Sequence, residues 1–215
     1  MEKLVIKNVS KKLGGRQILS DINLTLETSR IYGFVGKNGS GKTMLFRAIS
    51  GLMKVTEGEI SLDGKVLHKD FSVLPSLGII IENVGLYPEF SAMENLKLLA
   101  RIKRIIGETE IRAAIERVGL DPDDKRPIRK YSLGMKQRLV LAQALMEKPE
   151  ILILDEPTNA LDEGGVDLLR RIIFEEKERG ALIMLASHSR EDIELLCDEI
   201  YVIKNGRIEK KEVTE

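Results

Sequence analysis

The chain opens on alternation. LVIKNVSK and ILSDINLTLE put apolar and polar side chains on opposite faces with a period of two, which predicts half-buried antiparallel strands. IYGFVG, at 31–36, breaks that pattern: it is short, almost wholly apolar, and runs straight into a glycine-rich loop. KTMLFRAISGL then takes up helical periodicity and stops near Gly51. GEISLDGKVL predicts two short strands about an Asp63-Gly64 turn. GIII, at 78–81, reads as a buried strand that ends in a carboxylate, Glu82, before a loop exposing Leu86, Tyr87 and Pro88.

The period changes in the middle of the chain. SAMENLKLLARIKR starts with a capping box, Ser91 and Glu94, and carries a helical stripe of Met93, Leu96, Leu99 and either Ile102 or Ile106. EIRAAIERVGL predicts a second helix ending at Gly119, and a third begins at Ser132 after the charged, proline-bearing DPDDKRP. These helices form an insert over 86–148 in an otherwise α/β chain, with 1–85 and 149–215 on either side of it as one domain. ILILDEP, a helix near 164–179, the strand ALIMLASH, a further helix containing IELLCDEI and a hairpin turned on Asn205-Gly206 complete the pattern.

Composition narrows the function classes. Of 215 residues, 34 are Lys or Arg and 34 are Asp or Glu, so no global charge draws the chain to nucleic acid or anionic lipid. The one cysteine, Cys197, forms no internal disulfide, which fits a reducing compartment, and its apolar surroundings predict a buried structural thiol. MEKLVIKNVS lacks the basic and apolar regions of a signal peptide, and runs such as ILIL are far too short to cross a bilayer. Any membrane role is expected to come through a partner.

The chemistry begins at GKNGSGKT, 36–43, which satisfies G-x-x-x-x-G-K-[ST] at each fixed position. Gly36, Gly39 and Gly41 let the N–H groups of a loop that includes Lys37, Asn38 and Ser40 close around a di- or triphosphate, at the positive end of the following helix. Lys42 is placed to reach the terminal phosphates and Thr43 to ligate Mg²⁺. ILILDEP delivers Asp155 and Glu156 at the carboxyl end of a central strand, where parallel sheets bind ligands. Asp155 suits the magnesium shell. Glu156 suits a base that polarises the attacking water.

With YSLGMKQRLVLAQAL between these two elements, the sequence resembles the nucleotide-binding domain of ABC ATPases over almost its whole length. Five segments carry the likeness in order: GKNGSGKT, IENVGLYP, YSLGMKQR, ILILDEPTNALD and LASH. The resemblance implies an α/β P-loop fold of ABC type: a mixed central sheet, an antiparallel β-subdomain and an inserted helical subdomain. It further implies an ATPase that dimerises head to tail around two ATP molecules, pairing with its own copy or with a related ATPase. Ser132 and Gly134, at the start of the signature helix, and Asp162 in NALD would then serve the ATP held by the partner. Ser132 caps that helix and Gly134 permits close backbone approach. His188 would bond the γ-phosphate and link it to Glu156, making Lys42, Glu156 and His188 the catalytic set. The signature departs from Leu-Ser-Gly-Gly-Gln at Leu133 and Met135.

Two further departures carry expectations. Relatives stack an aromatic ring on adenine, and the matching residue here is Leu13; a base on an aromatic ring gains about 1–3 kcal/mol, so weaker ATP binding and slacker rejection of GTP are expected. Most of the family has glutamine where this chain has Glu82. A carboxylate about 5 Å from a phosphate charge is repelled by roughly 3 kcal/mol at an effective dielectric of 20, so Glu82 is expected to face Mg²⁺, with Thr43 and Asp155 as the other magnesium residues. Glu82 and YSLGMKQRL also resemble the bacitracin-type and lantibiotic-immunity exporter ATPases. That resemblance implies a cytoplasmic motor, peripheral on the membrane, driving a separate transmembrane permease that docks on Leu86, Tyr87, Pro88 and Phe90. The rivals are a soluble ABC ATPase of DNA repair or iron–sulfur assembly, and a small-molecule phosphotransferase. The neutral charge and the lack of a long coiled-coil insert between the phosphate loop and Asp155 oppose DNA work. The second leaves the signature helix unexplained.

Overall fold

The protein is described by a computed structural model covering residues 3–81, 85–188 and 190–213. Its first layer is antiparallel: β1 (Lys3–Leu13) pairs with β2 (Arg16–Glu27) on one side and with β4 (Glu57–Leu62) on the other, and β5 (Lys65–Val66) extends β4. The alternation that predicts these strands is the alternation that buries Leu4, Ile6, Leu24 and Leu26 while their neighbours face out.

The second layer is a six-stranded sheet in the order β10-β9-β3-β8-β7-β6. β3 (Arg30–Val35), β6 (Leu77–Ile80), β7 (Ile151–Asp155), β8 (Leu182–Ala186) and β9 (Glu199–Lys204) run parallel, and β10 (Arg207–Val213) closes the edge as the second arm of a hairpin. ILIL shows why these strands lack alternation. Ile151 and Ile153 pack with the antiparallel layer, whereas Leu152 and Leu154 pack with the helices on the opposite face. A strand covered on both faces needs an apolar residue at every position.

Helix α1 (Lys42–Ser50) lies between the two layers, where Leu45, Phe46 and Ile49 are fully buried and Phe46 meets Phe34 edge to face with ring centroids 5.2 Å apart. Burial of one such side chain contributes about 1.5–3 kcal/mol. Between β6 and β7 the chain makes α2 (Ala92–Lys103), α3 (Glu108–Arg117) and α4 (Leu133–Leu145), with a single 3-10 turn at Ile128–Lys130. Ser91 and Glu94 close the reciprocal capping box at the start of α2. Of the two residues that could end the α2 stripe, Ile106 packs on the core and Ile102 is 77% exposed. α5 (Glu163–Glu178) and α6 (Arg190–Leu196) complete the helical face. Cys197 falls just beyond α6 rather than within it, buried, with its thiol pushed up to about 12 by desolvation. It faces Gly33, where a Cβ would come within 2.8 Å of its sulfur, so the thiol fills a packing position.

Candidate active site

The carboxyl ends of β3 and β7 open into one cleft of about 720 Å³. Asn38, Gly39, Ser40, Gly41, Lys42 and Thr43 line it from the β3–α1 loop, and Asp155, Glu156, Asn159 and His188 line it from beyond β7 and β8. Gly36 and Lys37 carry the backbone of the loop without forming its wall. At Gly36 only hydrogen fits, because a Cβ would lie 2.3 Å from the Ile203 carbonyl oxygen and 2.6 Å from Ser40 Oγ. The loop is braced from the far edge of the sheet: Gly206 N–H donates to the Ser40 carbonyl at 2.8 Å, and Ser20 N–H to the Gly206 carbonyl at 2.8 Å. The hairpin turn Asn205-Gly206 thereby also becomes cleft wall.

Charge in the loop is held ready for an anion. Lys42 is 7% exposed and its Nζ donates to the Gly36 carbonyl at 2.7 Å, which folds the ammonium back over the cradle. Ser40 Oγ is buried with no hydrogen-bond partner among the described residues, a cost that a bound phosphate oxygen would remove. Thr43 Oγ1 donates to Asp155 Oδ2 at 2.5 Å, so an α1 hydroxyl and a β7 carboxylate meet at the mouth of the loop. Two hard oxygen donors beside a phosphate cradle suit Mg²⁺, which binds through a few protein oxygens and the phosphates themselves. Ile80, at the end of β6, lines the same cleft; Glu82 lies outside the described residues.

Glu156 is set by its backbone. Its φ of +52° is left-handed, a conformation that costs a residue with a side chain about 1–3 kcal/mol. The turn is held by Glu156 N–H donating to the Ala186 carbonyl at 2.9 Å. One carboxylate oxygen, Oε2, accepts from His188 N–H at 3.0 Å. The other, Oε1, is buried and lies 3.2 Å from His188 Nε2 without the alignment of a hydrogen bond. Oε1 thus makes no hydrogen bond among the described residues. Desolvation raises the pKa of Glu156 above the ordinary glutamate value, partly offset by the His188 N–H bond, which makes it a better proton acceptor than an exposed carboxylate.

The remaining predicted residues lie apart from the cleft wall. Ser132 Oγ accepts from Met135 N–H at 3.1 Å and caps α4, with Leu133 beside it 69% exposed. Gly134 packs against the Ala160 carbonyl, and Asp162 caps α5. Leu13 ends β1, 57% exposed; the wall on that side is Arg16, Gln17 and Ile18, which the sequence reading did not single out. They are the first three residues of β2, and nothing local in the sequence marks them as cleft wall. Gln137 was missed for a similar reason: it is one polar residue on α4, and its Nε2 donates to the Pro157 carbonyl at 3.0 Å only in the folded chain.

Comparison with known proteins identifies the family. Residues 19–159 match a family model described as "ABC transporter". The uncharacterized ABC transporter ATP-binding protein YybJ of Bacillus subtilis (strain 168) is 50% identical over 207 residues, covering 96% of this chain and 95% of the relative. The bacitracin transport ATP-binding protein BcrA of Bacillus licheniformis is 40% identical across 94% of this chain and 66% of its own length. For the lantibiotic transport ATP-binding protein SrtF of Streptococcus pyogenes the values are 39%, 95% and 88%. A solved ATP-binding subunit of an ABC transporter superposes with a TM-score of 0.87 at 27% identity, covering 98% of this chain and 89% of that one. The chain belongs to the ABC transporter family, as an ATP-binding subunit that hydrolyses ATP.

Proposed function

We propose that ATP closes two such subunits head to tail, each cleft supplying the phosphate loop, Asp155, Glu156 and His188, and each partner supplying the capped start of α4. The observation that carries this reading is the position of Ser132 and Gly134. They sit at a capped helix start with an exposed Leu133 between them, and neither lines the cleft of their own chain. A helix N-terminus presents unsatisfied N–H groups that suit a γ-phosphate brought by another molecule. Asp162 would approach the interface beside them. Within the cleft, Glu156 orients and deprotonates the attacking water, and His188 holds Glu156 in place. Mg²⁺ would be held by Thr43, Asp155 and Glu82, and would neutralise charge on the phosphates.

The motor is proposed to work on the cytoplasmic face of a membrane, through a separate permease. No helix among the described residues is long and apolar enough to cross a membrane. Tyr87 is 56% exposed, with its ring centroid 5.6 Å from that of Phe90, on a loop whose backbone is pinned by buried Asn95. Asn95 Oδ1 accepts from Tyr87 N–H at 2.8 Å, and its Nδ2 donates to the Tyr87 carbonyl at 3.1 Å. A rigid aromatic pair suits docking of a partner. Kinship with subunits named for bacitracin and lantibiotic transport supports a small antimicrobial peptide or drug as the exported cargo.

The test is capture from detergent-solubilised native membranes with ATP and the Glu156→Gln variant. Recovery of a polytopic membrane protein is the expected result. Recovery of soluble proteins alone, with the chain absent from the membrane fraction, overturns the transport reading. Tyr87→Glu is expected to abolish that capture while shifting stability by no more than about 0.5 kcal/mol, because the side chain lies on the surface. For the base site, Leu13→Tyr is expected to tighten ATP binding by about 1–3 kcal/mol, up to roughly a hundredfold, if the ring reaches the adenine. Equal affinities in a fluorescent-nucleotide titration would refute that role for position 13.

A further inference from the structure

Arg138 lies on α4, six residues beyond the Ser132 cap, and no step above uses it. Its guanidinium occupies a slot between two other elements. One amino group, Nη1, lies where a Cβ on Gly119 would come within 3.2 Å, and the other, Nη2, where a Cβ on Gly165 would come within 3.2 Å. Gly119 follows α3 and Gly165 is in the first turn of α5, so two residues without side chains make the space. At the end of the slot Nη2 donates to Asp162 Oδ1 at 3.0 Å, and the same oxygen caps α5 by accepting from Gly165 N–H at 2.9 Å. These bonds hold the Asp162 carboxyl below its ordinary range.

Two neighbouring contacts run parallel to this one. Gln137 Nε2 donates to the Pro157 carbonyl at 3.0 Å, and a Cβ on Gly134 would lie 3.1 Å from the Ala160 carbonyl oxygen. The segment gripped, 157–162, starts next to Glu156 and contains Ala160 at a left-handed φ of +69°. A backbone held in that region persists only where its surroundings over-determine it. Gly134, Gln137 and Arg138, within the first two turns of α4, thus grip the loop that leaves the general base.

We infer that Arg138 is a positioning residue for ATP hydrolysis: it couples the start of α4 to the loop carrying Glu156, so that a γ-phosphate met by Ser132 and Gly134 sets the geometry of the base. The inference rests on the roles given above to Glu156 and α4. A guanidinium suits the task because it is planar, stays charged and reaches a carboxylate with fixed geometry.

Arg138→Gln is expected to lower kcat at least tenfold, with KM for ATP changed less than about threefold, and Arg138→Lys is expected to restore part of the loss. Gly165→Ala gives an independent arm. Its Cβ would come within 2.8 Å of Asp162 Oδ1 and 3.2 Å of Arg138 Nη2, pushing the pair apart, whereas alanine favours the helix itself. This variant is expected to lose kcat while its melting temperature holds. Arg138→Gln and Asp162→Asn combined are expected to be less than additive in kcat, as for two ends of one link. The inference is overturned if kcat falls only with the folded fraction, if KM moves and kcat does not, or if the pair is additive. Should Arg138→Gln not fold, Gly165→Ala and Arg138→Lys decide. If Glu156→Gln hydrolyses ATP at the wild-type rate, the site assignment fails instead. An inactive Glu156→Gln beside wild-type kcat in the Arg138 variants removes this inference alone.

Discussion

Glu156→Gln is expected to lower ATP turnover by about 10²–10⁴-fold, the range a positioned general base contributes, while ATP binding survives. The amide keeps a carbonyl oxygen for the His188 N–H that now bonds Oε2, so the left-handed turn at Glu156 retains its support. What it loses is basicity. Desolvation raises the Glu156 pKa in the folded chain, so at pH above the unfolded glutamate value the ionised carboxylate opposes folding, and a neutral amide removes that opposition. The variant should therefore melt at or above the wild-type temperature and accumulate as an ATP-held dimer. Phosphate release, calorimetric melting and size-exclusion with ATP are the measurements. Near-normal turnover would mean that another group activates the water.

Lys42→Ala is expected to produce the second large loss, at the level of binding. The ammonium is 7% exposed and bonded to the Gly36 carbonyl, so the fold has already met part of its desolvation cost. Charge-assisted hydrogen bonds to phosphate contribute about 1.5–3 kcal/mol, so ATP affinity should fall by roughly 10–150-fold. A titration with a fluorescent nucleotide reads this directly. Melting should change little in the absence of nucleotide, whereas the rise in melting temperature that ATP gives the wild type should shrink with the affinity. An unchanged nucleotide-dependent shift would remove Lys42 from the phosphate cradle.

These expectations draw on different levels of the chain. The antiparallel strands, the phosphate loop, the α2 capping box and the ILILD strand were legible because each depends on neighbours in sequence: alternation, glycine spacing, a cap three residues from its partner. Legibility ended where a residue's role depends on distant chain. The start of β2 reads as the beginning of a strand, yet Arg16, Gln17 and Ile18 wall the cleft. Arg138 reads as one more charge on a helix until Gly119 and Gly165 are seen on either side of it.

The sequence by itself determined the family, the nucleotide chemistry and the order of the elements, since phosphate binding needs a contiguous glycine loop and a parallel core strand must be apolar throughout. The tertiary structure alone decided which residues share the cleft. Thr43 and Asp155 are 112 residues apart and His188 lies 32 beyond Glu156. The β9–β10 turn reaches back across the sheet to bond Ser40. Those meetings follow from strand order, with β3 between β9 and β8, and from close packing that leaves each carbonyl and carboxylate one place to go.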